Sequence, residues 1–273
     1  MKGDDGEMKA ICKAILITVL LLAIGTCGLK LWMISRQYAD EAQIKDEISH
    51  YQPDLPKSEN LSPISDDSPA SPIDIPDIPV EDESNQSEAF EKIVNQNIVD
   101  MQNDVNTDIV GWLTIPNTKI DYPFVIANDN DHYLHKNIYG EQATAGSIFM
   151  DCRCAKDFTD FNTVLYGHNM KNRSMFGDLR LFADSSFFES NDAGTLFVKD
   201  NTYTLKIFAY MIVRLDDKLI FNPSVDREMF FEYVQENARR YREPTASGNV
   251  VTLSTCAYEY DGARMVLLGV IIP

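Results

Sequence analysis

Three side chains in this sequence have the types and settings that acyl-transfer chemistry needs: Cys256, Arg264 and, far upstream, His168. Cys256 follows the apolar, β-branched run at residues 250–255, and Arg264 stands near the start of the next apolar run, at 263–272. Turn residues at 258–262 make these runs a predicted hairpin, which brings Cys256 and Arg264 to the same hairpin end. A thiol attacks only as thiolate. A guanidinium, protonated at any physiological pH, favours that thiolate when close to it and can later bind a developing oxyanion. His168 ends a short apolar segment, where Gly167 permits a bend that exposes an imidazole able to protonate a leaving amine. Cys256 and Arg264 also have ordinary readings, as a small buried thiol and a solvated edge charge. The same Cys and His would also serve a hydrolase that releases its product to water, so transferase and hydrolase both stand at this level.

Positioning these groups calls for a mostly β domain. Residues 109–115, 120–126, 146–150, 163–166, 195–199, 202–213, 250–256 and 263–272 read as eight short strands punctuated by Gly, Pro and Asn-Asp, the pattern of a closed barrel. Residues 199–202 read as a tight hairpin connection. Ahead of the strands, Phe90, Val94, Ile98, Met101 and Val105 form a helical stripe with Ser84 or Ser87 as its cap. Between the later strands, residues 224–242 place Met229, Phe230, Tyr233, Val234, Asn237 and Tyr241 on one helical face, capped by Ser224 or Asp226.

In this wording, Thr252-Leu253-Ser254-Thr255-Cys256 with Arg264, and Tyr166-Gly167-His168-Asn169-Met170, resemble the sortases, cysteine transpeptidases of Gram-positive cell surfaces. Gly111-Trp112-Leu113-Thr114-Ile115-Pro116, Ile120-Asp121-Tyr122-Pro123, Asp129-Asn130 with Tyr133-Leu134, and Gly146-Ser147-Ile148-Phe149-Met150-Asp151 resemble that family too, in its order. The match covers residues 88–273, and the helical insertion at 224–242 points to the class B branch (sortase B). The resemblance implies an α+β fold: a closed eight-stranded sortase-type barrel with N-terminal packing helices and a helix inserted before the nucleophile strand. It assigns Cys256 as nucleophile, His168 as proton donor and acceptor, and Arg264 as oxyanion stabiliser. Asn130, Leu134, Ser254, Leu219 and Ile220 are the expected substrate contacts, with ordinary core as the other reading for Leu134, Leu219 and Ile220. Ala257 departs from relatives that carry an acid after the nucleophile. The implied partners are surface proteins with a C-terminal, Asn-Pro-x-Thr-like sorting signal and an acceptor amine from a cell-wall precursor or a pilin lysine. No cofactor is implied.

The remaining sequence reads as membrane attachment. The chain has 273 residues, 44% of them hydrophobic, and a net charge of −18. Residues 1–13 form an expected cytoplasmic tail, and residues 14–34 an expected transmembrane helix in which Lys13 and Lys30 snorkel and Trp32 sits at the interface. The positive-inside rule does not orient this span; the family resemblance does, with the catalytic domain extracellular. Residues 35–87 form an expected linker, helical at first and then acidic, with seven of the chain's twelve prolines, able to reach about 100 Å if its Pro-rich part were fully extended. Such acidity argues against nucleic-acid binding. Cys152 and Cys154, near His132 and His135, have a spacing unlike the usual zinc arrangement, and no metal is expected there.

Overall fold

A computed structural model describes residues 4–54, 94–244 and 248–272. Its strands are β1 (Ile109–Thr114), β2 (Asp121–Ile126), β3 (Ile148–Met150), β4 (Asn162–Tyr166), β5 (Ala193–Val198), β6 (Asn201–Arg214), β7 (Arg240–Tyr241), β8 (Val250–Cys256) and β9 (Ala263–Ile272). They form one sheet in the order β5-β1-β2-β3-β4-β8-β9-β6-β7, and a further β5–β6 pairing closes it. Eight strands thus make the barrel, while the two-residue β7 rides on β6 at Ala209 and Tyr210. Two pairs are parallel, β2 with β3 and β4 with β8; the rest are antiparallel. Val198 pairs with Asn201, so Lys199 and Asp200 form the tight hairpin connection expected there.

Strand alternation sorts the core into an interior and two outer layers. Phe124, Leu165, Leu196, Val251, Leu253, Met265 and Leu267 fill the barrel, with Leu179, Phe182 and Phe188 plugging it from neighbouring helical turns. On one outer face, Val250, Val266 and Leu268 pack under α4 (Arg227–Asn237) through Phe230 and Val234. On another, Trp112, Phe149 and Phe197 lie under α2 (Gln96–Asp104) and the end of α1 (Asp4–Ile48).

Several helical details differ from expectation. Helix α2 begins after Asn95, whose side-chain amide donates to Asn201 O at 2.7 Å and ties the helix start to the β5–β6 turn. Val94 precedes the helix and is exposed, so it is not part of the stripe; Ile98 and Met101 carry the burial. Phe90, Ser84 and Ser87 lie outside the described residues. In α4, Asp226 is the cap, accepting from Met229 N at 3.0 Å. Met229 is exposed because the buried ridge is Phe230 and Val234, four apart, and Tyr241 has left the helix for β7.

Helix α1 contains an 18-residue window of mean hydropathy 2.2, none of it buried, and is long and apolar enough to cross a membrane. It continues as one helix to Ile48, and its last turns lie against the barrel. The expected linker therefore begins with docked helix. Its acidic, Pro-rich part lies outside the described residues from residue 55 onward.

Candidate active site

Strand pairing assembles the site. In the β8–β9 ladder Cys256 stands directly opposite Arg264, so both side chains leave the same, outer face of the barrel. The parallel β4–β8 ladder ends at Tyr166 opposite Ser254, and the Gly167 N–H continues it to Ser254 O at 3.1 Å. Two residues further along each chain come His168 and Cys256, level with one another by this register. Asn169 Nδ2 donates to Cys256 O at 2.8 Å, fastening the two strand ends together. Cys256 is exposed, while His168 and Arg264 are half-buried.

The His168 imidazole is held from two sides. Its Nε2 lies 2.7 Å from Leu134 O, and because a carbonyl only accepts, Nε2 carries the proton and Nδ1 is the free base position. The His135 ring stacks on it, with centroids 5.7 Å apart and planes at 26°. The segment that delivers these groups is itself fixed. Asp129 Oδ1 accepts from Asp131 N at 2.9 Å and His132 N at 2.8 Å, and buried Tyr133 donates to Asp108 at 2.8 Å. Gly146, at φ +58°, lets the chain before β3 pass under this turn: a Cβ there would come within 2.5 Å of Leu134 O.

A second polar group braces the site from behind. Asp151, fully buried after β3, accepts from Arg153 Nη2 at 2.7 Å and from Tyr166 OH at 2.9 Å, and Arg153 also donates to Phe221 O at 2.8 Å. Burial pushes the Asp151 carboxyl up, but the hydrogen bonds from Arg153 and Tyr166 outweigh it and hold the carboxyl below its usual range. Cys154 is buried beside β4, and that burial pushes its thiol up to about 12. Cys152 and Cys154 are both free thiols. Among the described residues no cluster of three or more His, Cys, Asp and Glu could hold a metal ion.

The expected substrate contacts divide. Asn130 Oδ1 accepts from Cys152 N at 2.8 Å, so one end of its amide holds the loop after β3. Leu134 is half-buried, and the group it brings to His168 is its backbone carbonyl. Ser254 shares the face of Cys256 but is 1% exposed, and its hydroxyl has no partner among the described residues. Leu219 is half-buried against the α4 cluster. Ile220 corrects the expectation: it is 0% exposed, turned into the core beneath Phe230 and Val234, and cannot wall a groove. Sequence reasoning missed the Leu134 carbonyl and weighed His135 only as a metal ligand; neither role carries a signal without the tertiary contact.

Comparisons with known proteins agree with this geometry. A sortase-domain family model matches residues 113–271. The chain is 39% identical to sortase B of Listeria monocytogenes over 186 residues, 66% of this chain and 75% of that protein. Among solved structures it resembles a Streptococcus pyogenes class B sortase involved in pilus biogenesis, with 31% identity and a TM-score of 0.60, covering 64% of this chain and 97% of that one. Clostridium perfringens sortase B matches with 30% identity and a TM-score of 0.60, covering 64% and 99%. The chain belongs to the sortase family, whose members are cysteine transpeptidases that anchor surface proteins. Within that family it is a class B sortase.

Proposed function

We propose that Cys256 is the nucleophile, His168 the general acid and base, and Arg264 the oxyanion stabiliser of this transpeptidase. The observation that carries the reading is the ladder geometry: Cys256 opposite Arg264 on β8–β9, with His168 at the end of the neighbouring β4. The Cys256 thiolate attacks the scissile carbonyl of a sorting signal, and the carbonyl oxygen takes negative charge that Arg264 binds. As the C–N bond breaks, the imidazolium of His168 gives its proton to the departing amine, leaving a thioester on Cys256. An incoming amine attacks that thioester, His168 takes its proton, and the thiolate leaves as the new amide forms. The stacked His135 and the Leu134 carbonyl keep the imidazole plane fixed through both proton transfers.

The signal is Asn-Pro-x-Thr-like, read along the outer face by Asn130, Leu134, Leu219 and the strand of Ser254. The acceptor is an amine of a cell-wall precursor. A second reading, in which the acceptor is a pilin lysine, draws on the likeness to the Streptococcus pyogenes enzyme involved in pilus biogenesis. In both, residues 14–34 span the membrane once, with the N-terminus inside and the catalytic domain outside.

The test incubates the full chain in detergent with a peptide library and candidate amines, and follows acyl-enzyme and product by mass spectrometry. A thioester on Cys256 that forms with the native chain and is absent in Cys256→Ala is expected. Arg264→Ala should slow its formation about 10²- to 10³-fold. Acyl transfer to water at an undiminished rate whatever amine is supplied would make the enzyme a hydrolase. Full activity in Cys256→Ala would remove the assignment altogether.

A further inference from the structure

Helix α1 does not end where its apolar window ends. It runs unbroken from Asp4 to Ile48, and beyond the window it is bound to the catalytic domain. Ile44, Ile48 and Tyr51 pack in the cluster of Trp112, Tyr133 and Phe149. The Lys45 ammonium lies 4.2 Å from the Tyr122 ring centroid, and Gln52 Nε2 donates to both Asp121 carboxylate oxygens at 3.0 and 3.1 Å. Asn97 Nδ2 donates to Gln52 O at 3.1 Å, so the chain flanking the acidic segment is pinned together on one face. That segment therefore does not set the distance between the domain and the span.

A contact close to the span reaches the loop beside the site. Asn172 Nδ2 donates to Glu41 at 3.4 Å, and Asn172 stands in the loop that follows His168 and holds Cys256 O through Asn169. Arg36, stacked over Trp32 at 5.6 Å, marks the boundary of the apolar stretch. Along a helix rising 1.5 Å per residue, Glu41 is about 7.5 Å beyond Arg36, which is the depth of one headgroup layer. The loop also carries a surface suited to lipid. Lys171 and Arg180 are exposed, have no ion pair or hydrogen bond among the described residues, and line one shallow depression with Asn169, Met170, Tyr258, Met265 and Glu259. Tyr258 is 79% exposed. Basic and aromatic side chains together are the usual composition of an edge that meets headgroups. The nearby acids are accounted for: Glu259 pairs with Arg239 at 3.2 Å, and Asp40 and Glu41 are on α1 itself.

We infer that the edge formed by residues 169–173, Arg180 and Tyr258 lies against the surface of the bilayer that α1 crosses. This rests on the membrane span proposed above. The rigid helix then holds the Cys256 site at headgroup level, where substrates that are themselves tethered to the membrane meet it at high effective concentration.

The test has two arms, both on the full chain in vesicles containing anionic lipid. In one, Lys171→Cys is introduced with Cys12, Cys27, Cys152 and Cys256 replaced by alanine, and a fluorophore on residue 171 is read against headgroup-attached quenchers. In the other, seven helix-forming residues are inserted between Arg36 and Gln37 of the native-cysteine chain, two turns that raise the domain by about 10 Å and keep its facing. Strong quenching is expected in the first arm, and its loss when the insertion is added. The insertion should leave turnover of a soluble peptide unchanged and lower turnover of a lipid-tailed peptide about ten-fold. An unquenched label on a chain that floats with the vesicles overturns the inference. A chain that does not float with vesicles overturns the membrane span, and the inference falls with it.

Discussion

Ile220→Ala separates the two readings of the segment that precedes α4. The side chain is 0% exposed and belongs to the cluster of Phe208, Met211, Phe230 and Val234. The substitution removes three carbons, worth about 2.4 kcal/mol at about 0.8 kcal/mol per buried methylene, and the cavity left behind brings the loss to roughly 3–4 kcal/mol. For a domain of this size each kcal/mol moves Tm by about 2–4 °C, so a fall of roughly 6–16 °C is expected. The main-chain tie survives, because Asn162 Nδ2 donates to the Ile220 carbonyl at 2.8 Å and the substitution keeps that carbonyl. Thermal unfolding of the full chain in detergent reads the first quantity, and peptide turnover well below Tm reads the second. KM should stay within about two-fold of the native value, since the residue touches no surface that a substrate reaches. An unchanged Tm with a ten-fold rise in KM would refute this reasoning and return Ile220 to the groove.

Three further outcomes follow from the braces around the site. The folded Asp151 carboxyl titrates below its unfolded value of about 3.9, so its stabilisation is present above that pH and is lost as pH falls through the folded value. Asp151→Asn should lower Tm at neutral pH and flatten its fall in acid; identical acid limbs in both proteins would remove Asp151 from the account. With its thiol pushed up to about 12, Cys154 should resist alkylation at pH 8 while exposed Cys256 is modified, and peptide mapping by mass spectrometry would contradict the burial if both reacted alike. His135→Ala should cut kcat about two- to ten-fold with little change in KM, the worth of one ring stack, and His135→Phe should restore most of it; equal rates in the two variants would mean that stacking does not position His168.

Much of this protein was legible in local pattern. The eight barrel strands, the β8–β9 hairpin that sets Cys256 against Arg264, and the Asp226 cap of α4 arise from signals within a few residues or across one turn. The family wording around Cys256 and His168 is local in the same way. The place of His168 is different: it depends on a parallel ladder between β4 and β8 whose side-chain tie, Thr252 to Asn162 at 2.7 Å, spans ninety residues. No period or propensity encodes a parallel partner at that distance. The Leu134 carbonyl facing His168, the burial of Ile220 under α4 and the docking of α1 on the barrel are decided the same way, by which elements cover which face once the sheet closes. Side-chain type and spacing determined what chemistry this chain can do; long-range packing decided where that chemistry sits, because burial and register are properties of elements already in contact.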